Sequence, residues 1–419
     1  MKSIFSQMAV LIFSLFQSLT LYAAQPNWGI CNEQECATYS KKLSLKIAAI
    51  APITCDISFL IADIKYTDGQ LKICEFGEGN DSRFEGHDFM YGKGTIWSNF
   101  WNYIKPFGMP IWYVGPKLYE KPRGHDYSDT SEICYPDFLA AKGRHIFSAK
   151  YLKDDPLFKR LARNYCHATT DLATAQGLFI FRHNNSSSES FQSIHKLNKR
   201  LLIMDSVTAP FVNNKYFTNI LFDDPELKHF KPGFLLCKKK YNEHLAELIK
   251  KALPCPRYVI KPLEEFKGRG VMIIDEKDLD ATLYKILYIN GVLHRNEKAH
   301  SKYECSGHWK RDTSPYFLIE EYCPSKTVRL NDKSYDPTMR VAFVLTYNKG
   351  EIKTHYLGAY WKIPLFSLED NVKLTKKHKS WGLNPAEVSP DDLAKVEQLL
   401  DTCLPKLYAK MIAMINTPR

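Results

Sequence analysis

The chain has 419 residues, of which 45% are hydrophobic and 25% are charged. These fractions exclude wholesale disorder, and the length suggests two to four compact units at roughly 100–200 residues each. The formal net charge of +11 suits an acidic partner, but the sequence has no zinc-finger spacing, RNA-binding signature or long basic helix. Nucleic acid is therefore not the expected partner.

The N-terminus, residues 1–24, has the pattern of a secretory signal. Lys2 is the only early charge, residues 8–16 are almost entirely apolar, and Ala23 and Ala24 offer small residues for cleavage. The apolar run is too short to cross a bilayer, and no later stretch approaches ~20 apolar residues. We therefore expect export to the periplasm or beyond, and no membrane span in the mature chain.

Residues 57–76 have the pattern of a β-hairpin. Two apolar strand segments flank Asp68 and Gly69, a pair that predicts a two-residue type I′ turn. The stretch that follows, residues 77–94, is rich in glycine and polar side chains and predicts a loop.

Residues 111–244 are expected to form a separate α/β unit. Three short apolar strands are predicted there, at residues 111–114, 177–181 and 201–204. Because helix-length segments separate these strands, the pattern favours a parallel, Rossmann-like sheet.

The pattern of the sequence changes from residue 245. The predicted elements are strands at 258–261, 271–274 and 316–321, a hairpin of strands 339–347 and 351–363, and a C-terminal helix capped by Ser389.

The strand-loop-strand at 258–274 is the strongest chemical signal. Lys261 ends a strand and offers a fixed positive charge, while glycines in the loop allow its backbone amides to approach phosphate oxygens closely. The loop residues expected to act in this way are Lys267, Gly268, Arg269 and Gly270. The sequence is not that of a P-loop, and an ordinary hairpin turn is the alternative in isolation.

Two further motifs follow at suggestive positions. An apolar strand leads into a Glu-Glu-aromatic segment at residues 320–323, whose backbone could bind an adenine ring. Arg340 then opens a strand and places a guanidinium group where an anionic intermediate could lie.

With these motifs in this order, the sequence resembles the ATP-grasp superfamily, which includes D-alanine–D-alanine ligase and glutathione synthetase. The resemblance implies an α+β fold with two lobes around ATP and a Rossmann-like substrate domain. It also implies that Arg340 and Lys362 stabilise the transferred phosphoryl group. The residues that it implies for ATP are Lys215, Lys261, Lys267, Gly268, Arg269, Gly270, Glu320, Glu321, Tyr322 and Cys323.

The resemblance also implies Mg²⁺, whose acidic ligands normally lie in a hairpin near the C-terminus of the family. No such hairpin follows residue 363, but the N-terminal hairpin carries Asp63 and Glu75 on adjacent strands. Carboxylates on neighbouring strands suit a hard cation with bound phosphates, so we expect a circular permutation in which this hairpin completes the C-terminal lobe. Gly77 stands where the family has an asparagine ligand, and an ordinary surface hairpin is the alternative.

The resemblance implies a ligase that activates a carboxylate as an acyl phosphate for attack by an amine, with release of ADP. The expected partner is a small-molecule or peptide carboxylate. Delivery to a compartment that contains ATP would reconcile this chemistry with a signal segment, and the alternative is that the signal is not used. A kinase that phosphorylates a hydroxyl group, or an inactive fold that only binds, remains an alternative. The implied divisions are 1–24 (signal), 25–110 (hairpin region completing lobe 2), 111–244 (substrate domain), 245–325 (lobe 1) and 326–419 (lobe 2).

Overall fold

The structure is a computed structural model that describes residues 29–48, 53–79, 84–92, 94–107, 111–114, 177–181, 201–212, 214–265, 268–289 and 306–417. The signal segment predicted at residues 1–24 lies outside this part of the chain. The strands are β1 Cys55–Thr67, β2 Gln70–Glu78, β3 Ile111–Val114, β4 Gly177–Phe181, β5 Leu201–Ile203, β6 Phe234–Lys238, β7 Arg257–Pro262, β8 Met272–Asp275, β9 Tyr316–Glu321, β10 Val328–Leu330, β11 Lys333–Tyr335, β12 Thr338–Asn348, β13 Glu351–Pro364 and β14 Ser380–Ala386.

The helices cover the faces of the sheets that these strands form. The α-helices are α1 Glu33–Ala48, α2 Glu85–Tyr91, α3 Thr95–Ile104, α4 Ala209–Val212, α5 Lys215–Ile220, α6 Leu245–Ala252, α7 Leu279–Leu283, α8 Ser306–Arg311, α9 Leu374–His378 and α10 Pro390–Asn416. Short 3-10 turns occur at Lys105–Phe107, Lys228–Phe230 and Glu276–Asp278, and a π-helical turn extends α7 over Tyr284–Ile289. None of the helices in the described residues combines the length and apolar character needed to cross a membrane.

A five-stranded antiparallel sheet has the strand order β14-β13-β12-β1-β2. β1 pairs with β12 along most of its length, from Cys55 opposite Asn348 to Ile64 opposite Met339. The N-terminal hairpin therefore completes a sheet whose other strands come from the C-terminal part of the chain. The permutation hypothesis requires the hairpin to lie beside these C-terminal strands.

The hairpin itself is observed, but its turn differs from the prediction. Thr67 pairs with Gln70, which leaves Asp68 and Gly69 as the two turn residues. Gly69 has φ +81°, whereas Asp68 is not among the described residues with positive φ. A type I′ turn needs positive φ at both central positions, so the predicted turn type is wrong.

The predicted loop at 77–94 is also wrong in part. β2 continues to Glu78, and α2 then forms between Glu85 and Tyr91. Phe84 precedes this helix and gives it no side-chain cap, so the usual sequence signal for a helix start is missing. Tertiary packing supplies the stabilisation instead, because α2 lies against β13 and β14.

Both faces of the five-stranded sheet are covered, and the burial of β1 on its two sides reflects this. One face packs against α10, where Ile64 and Met339 share a core with Leu400 and Leu404. Ser389 caps α10 as predicted, accepting a hydrogen bond of 3.2 Å from the amide of Asp392.

On the opposite face, α3 covers only the end of the sheet at which β1 begins. There Phe59 stacks on Phe100, with ring centroids 4.8 Å apart, and packs against Trp97 and Val344 in a second core. The remainder of this face, toward the end of β1, carries polar side chains such as Asp63 and Lys65.

A four-stranded antiparallel sheet, with the order β6-β9-β7-β8, faces that polar region. Its outer side, represented by Ile260 and Ile319, packs under α6 and α7. Leu318 points the other way and shares a core with the five-stranded sheet. Because side chains alternate along a strand, Lys261 and Glu320 also face the five-stranded sheet.

The strands β3, β4 and β5 form a parallel sheet in that order, as the spacing of the sequence predicted. The helix-length connections between them lie outside the described residues. Asp205, just after β5, has φ +66°, and it accepts a hydrogen bond from the amide of Phe59 at 2.6 Å. This bond fixes the end of the parallel sheet against β1.

Candidate functional site

Four polar side chains form a row across four strands of the five-stranded sheet. Tyr360 of β13 pairs with Arg340 of β12, Arg340 pairs with Asp63 of β1, and Asp63 pairs with Glu75 of β2. Directly paired residues point to the same face, with their Cβ atoms about 5 Å apart. The sheet therefore brings together Asp63, Glu75 and Arg340, all three of which the sequence had proposed for the site.

Asp63 is held by two basic side chains. Arg340 contacts it with two atoms, Nε to Oδ1 at 2.8 Å and Nη2 to Oδ2 at 2.9 Å, and Nζ of Lys362 lies 2.8 Å from Oδ2. Burial opposes ionisation of Asp63, but the charges of Arg340 and Lys362 outweigh it and lower the pKa of this carboxyl group. Asp63 is therefore ionised, and both of its oxygens are engaged.

Glu75 stands next to this cluster and is half-buried. Within the described part of the chain, no hydrogen bond or ion pair reaches its carboxylate. Its charge nevertheless acts on cations from both sheets and from α5. The four cations are Lys215, Lys261, Arg340 and Lys362.

The two expected metal ligands, Asp63 and Glu75, are thus adjacent but differ in availability. Glu75 is open to a cation, whereas Asp63 would have to release Lys362 or Arg340 to bind one. Among the described residues, no group of three or more His, Cys, Asp or Glu side chains could hold a metal ion. One or two carboxylates are nevertheless enough for Mg²⁺ when phosphates and water complete its shell.

Lys261 lies across the cleft on β7 and is buried. It forms an ion pair with Oε2 of Glu320, whose Oε1 accepts a hydrogen bond from Asn219 at 2.9 Å. Burial opposes ionisation of Glu320, but Lys231 and Lys261 hold its pKa at about 2. The Glu320 side chain therefore serves as a permanent anion that orients lysines.

Two backbone amides of the expected adenine segment, residues 320–323, already donate hydrogen bonds to other parts of the protein. The amide of Glu321 donates to the carbonyl of Gly233 at 2.9 Å, and the amide of Tyr322 donates to that of Arg257 at 3.0 Å. The amide of Cys323 has no partner among the described residues. Cys323 is therefore the position in this segment that can still donate to a ligand.

Lys215 begins α5 and reaches the same cleft. Its Nζ donates to the carbonyl of Leu263 at 3.5 Å and to that of Glu265. Burial lowers the pKa of Lys215, and the charge of Glu75 only partly offsets this effect. An anion bound beside Lys215 would favour its charged form and raise its pKa.

The glycine loop is described except for Lys267, which lies outside the described residues. Gly268 and Gly270 have φ +65° and +71°, a region that side chains disfavour. A Cβ on Gly270 would also lie 2.9 Å from Cγ of Pro262. Both glycines are thus required by the backbone, and the exposed Arg269 stands between them.

Two groups of site residues were missed by sequence reasoning. Lys231 lies buried in the cleft, and its only signal in the sequence is its place just before β6. The other group links the sheets: Nζ of Lys65 lies 3.0 Å from Oδ1 of Asp336, whose Oδ2 is 2.7 Å from Nδ1 of His378. The hydroxyl of Tyr322 lies 2.7 Å from the same nitrogen.

The described residues of the cleft include six basic side chains and four carboxylates. The basic groups are Lys65, Lys215, Lys231, Lys261, Arg340 and Lys362, and the carboxylates are Asp63, Glu75, Glu320 and Asp336. A site of this kind can bind a polyanion such as a phosphate chain.

Fold and site together define a mixed α/β protein in which two antiparallel sheets enclose a polar, cation-rich cleft. No protein-family profile matches the chain, and no curated protein matches it in sequence. Among solved structures it is similar to a protein of Methylobacillus flagellatus KT that is provisionally named a gamma-glutamylcysteine synthetase. The two share 8% identity over 92% of each chain, with a TM-score of 0.44.

Proposed function

We propose that the chain binds MgATP between the two sheets and uses it in a reaction of the ATP-grasp type. The observation that carries this proposal is that Glu75, which pairs with Asp63 in the five-stranded sheet, is acted on by the charges of four basic groups. Arg340 and Lys362 belong to the five-stranded sheet, Lys261 to the four-stranded sheet and Lys215 to α5. Opposing cations around one carboxylate suit a ligand that brings both phosphate and a divalent metal, because the metal binds the carboxylate and the phosphates bind the cations.

The roles divide between the sheets. On the four-stranded side, Lys261, Lys215 and the loop at 267–270 would hold the phosphates, and residues 320–323 would border the adenine. On the five-stranded side, Arg340 and Lys362 would neutralise the phosphoryl group as it is transferred. Catalysis of such transfers is mostly positioning and electrostatic stabilisation, which a set of fixed charges supplies.

The lysines of the cleft also support a polyanionic ligand. Burial lowers the pKa of Lys215, and burial together with the charge of Arg340 lowers that of Lys362. A bound phosphate would favour the charged form of both lysines and so raise both pKa values. The affinity for ATP should therefore be highest while these lysines are protonated and should fall as the pH rises through their lowered pKa values.

The metal, Mg²⁺, would be held chiefly by Glu75, with Asp63 joining it when Lys362 moves to the phosphates. Such a shift keeps charge balanced, because the lysine exchanges one anion for another. The metal would neutralise phosphate charge and orient the chain of phosphates. Gly77, which supplies no side-chain ligand, leaves that position of the shell to water or phosphate.

In the proposed reaction, a small-molecule or peptide carboxylate takes the terminal phosphoryl group of ATP, which gives an acyl phosphate and releases ADP. An amine then attacks the acyl carbon, and phosphate leaves as the amide forms. A second candidate is an ATP-binding protein without turnover. The engagement of both Asp63 oxygens by Arg340 and Lys362, together with glycine at position 77, favours this candidate. The two differ in whether ADP is released.

The test is incubation with MgATP and a panel of carboxylic acids and amines, following ADP release and the mass of the products. A ligase gives an amide and a kinase a phosphate ester. Arg340→Met should abolish ADP release, while Arg329→Met, at an exposed arginine of β10, should not change it. ATP binding without any ADP release would leave the second candidate, and no ATP binding would reject both.

A further inference from the structure

Lys231 is a buried lysine that no part of the proposed chemistry uses. Its side chain enters the cleft from the turn before β6, and only 3% of the residue is exposed. Its Nζ donates to the carbonyl of Ile73 at 3.0 Å and to that of Cys74 at 2.9 Å, and it lies 3.5 Å from Oε1 of Glu320. Three acceptors match the three N–H groups of an ammonium ion.

The two carbonyls belong to an irregularity in β2. Asp63 pairs with Glu75, but the next residue, Ile64, pairs with Ile73, so Cys74 is an extra residue in the strand. Successive carbonyls of a regular strand point in opposite directions, and a single ammonium group could not bind both. A β-bulge disrupts this alternation, and Lys231 binds the two carbonyls that the bulge brings together.

The bulge decides which way Glu75 points. Continuing the pairing of Ile64 with Ile73 without a bulge would place Cys74 opposite Asp63 and Glu75 opposite Ala62. Ala62 faces the apolar core under α10, and a shift by one residue moves every side chain to the other face. The extra residue therefore moves Glu75 from the core face to the cleft face, beside Asp63.

Lys231 also links this bulge to the other sheet. Glu320 of β9 binds both Lys231 and Lys261, and Nζ of Lys261 lies 3.5 Å from the carbonyl of Cys74. The two lysines, the carboxylate and the carbonyl thus form a closed ring that spans the cleft. Burial lowers the pKa of Lys231, and the charge of Glu320 only partly offsets this effect.

We propose that Lys231 is a positioning residue, which holds the β2 bulge so that Glu75 faces the metal of MgATP while Glu320 keeps Lys261 in register with it. This inference rests on the proposed function. Lys231 itself would touch neither the metal nor the nucleotide. Its loss should therefore weaken the contribution of magnesium to ATP binding more than it weakens the binding of ATP alone.

The test compares the affinity for ATP, measured by calorimetry with and without MgCl₂, in the wild type and in Lys231→Met. In the wild type, magnesium should increase the affinity at least tenfold. In Lys231→Met this increase should shrink to less than threefold, whereas the affinity for magnesium-free ATP should change by less than threefold. Lys231→Arg, which keeps the charge and the donors, should recover part of the magnesium effect.

Lys228→Met is the matched control, because Lys228 is exposed and lies three residues earlier. It should leave both affinities unchanged. If Lys231→Met does not fold, as judged by circular dichroism, Lys231→Gln replaces it and should show the same loss. A magnesium effect that survives in the folded variant overturns the inference alone. A wild type that binds no ATP overturns the proposed function and this inference together. A wild type that binds ATP equally well with and without magnesium overturns the inference and the placement of the metal on Glu75, but leaves the ATP site.

Discussion

The replacement of Asp63 by asparagine tests whether Arg340 and Lys362 bind phosphates. Asp63 is the direct ion-pair partner of both Arg340 and Lys362, and its side chain is 14% exposed. Asparagine has nearly the same shape and keeps one acceptor oxygen, so the substitution removes charge with little change in volume. Two buried cations would then lose the carboxylate that pairs directly with both of them.

The expected loss of stability in the variant follows from the burial of the ion pairs that Asp63 makes. Removing one partner of a buried ion pair costs about 3–5 kcal/mol, and the partial exposure of Asp63 places this case near the lower end, about 3 kcal/mol. The pKa of Asp63 is lowered in the folded state, so its stabilisation is present above its unfolded pKa of about 3.9 and lost as the pH falls through the lower folded value. The difference in the free energy of unfolding between wild type and variant should be constant from pH 5 to 8 and should become smaller below pH 4.

Urea denaturation, with and without magnesium-free ATP, provides the assay. If phosphates bind Arg340 and Lys362, ATP should replace the missing carboxylate, and the variant should bind magnesium-free ATP about tenfold more tightly than the wild type, a gain of about 1.4 kcal/mol. Asp332→Asn, at an exposed turn residue, is the control and should behave as the wild type. A variant that loses stability but gains no affinity for ATP would refute the placement of phosphates at Arg340.

Three other predictions follow from named side chains. Lys261→Ala should weaken ATP binding at least tenfold, about 1.4 kcal/mol by calorimetry, because one fixed ammonium is lost; unchanged affinity in a folded variant would reject this site. Glu75→Gln should abolish ADP release while leaving some ATP binding, and intact turnover would move the metal site elsewhere. Burial raises the pKa of Asp56 to about 6, so its contribution to stability is complete below pH 4 and is lost as the pH rises through 6. The free energy of unfolding of the wild type should thus fall by up to about 3 kcal/mol from this group between pH 4 and 8, and Asp56→Asn should lack that slope; equal slopes in the two proteins would contradict it.

Local sequence signals predicted the elements that are specified by their own residues rather than by contacts with the rest of the chain. The N-cap Ser389 and the apolar stripe of α10 specify a helix without reference to the rest of the chain. The two strands around Asp68 and Gly69 specify a hairpin in the same way. The position of that hairpin came from the resemblance alone, since no local pattern relates Asp63 to Arg340.

The parts that could not be predicted depend on tertiary contacts. α2 has no side-chain cap and is stabilised by the strands beneath it, so its sequence resembled a loop. The bulge at Cys74 leaves no mark in the pattern of β2, yet it determines the face on which Glu75 lies. The lysine that binds the bulge, Lys231, is separated from it by more than 150 residues in sequence.

The most direct test of the account is the position of a non-hydrolysable ATP analogue in a crystal grown with Mg²⁺. We expect its phosphates to lie within about 3 Å of the Nζ atom of Lys261 and of the guanidinium group of Arg340, with the metal on Glu75. The ion pair between Lys261 and Glu320 should then be loosened as the lysine turns to the phosphates. An analogue bound elsewhere on the protein, with the contacts of Lys261 and Arg340 to Glu320 and Asp63 unchanged, would contradict the account.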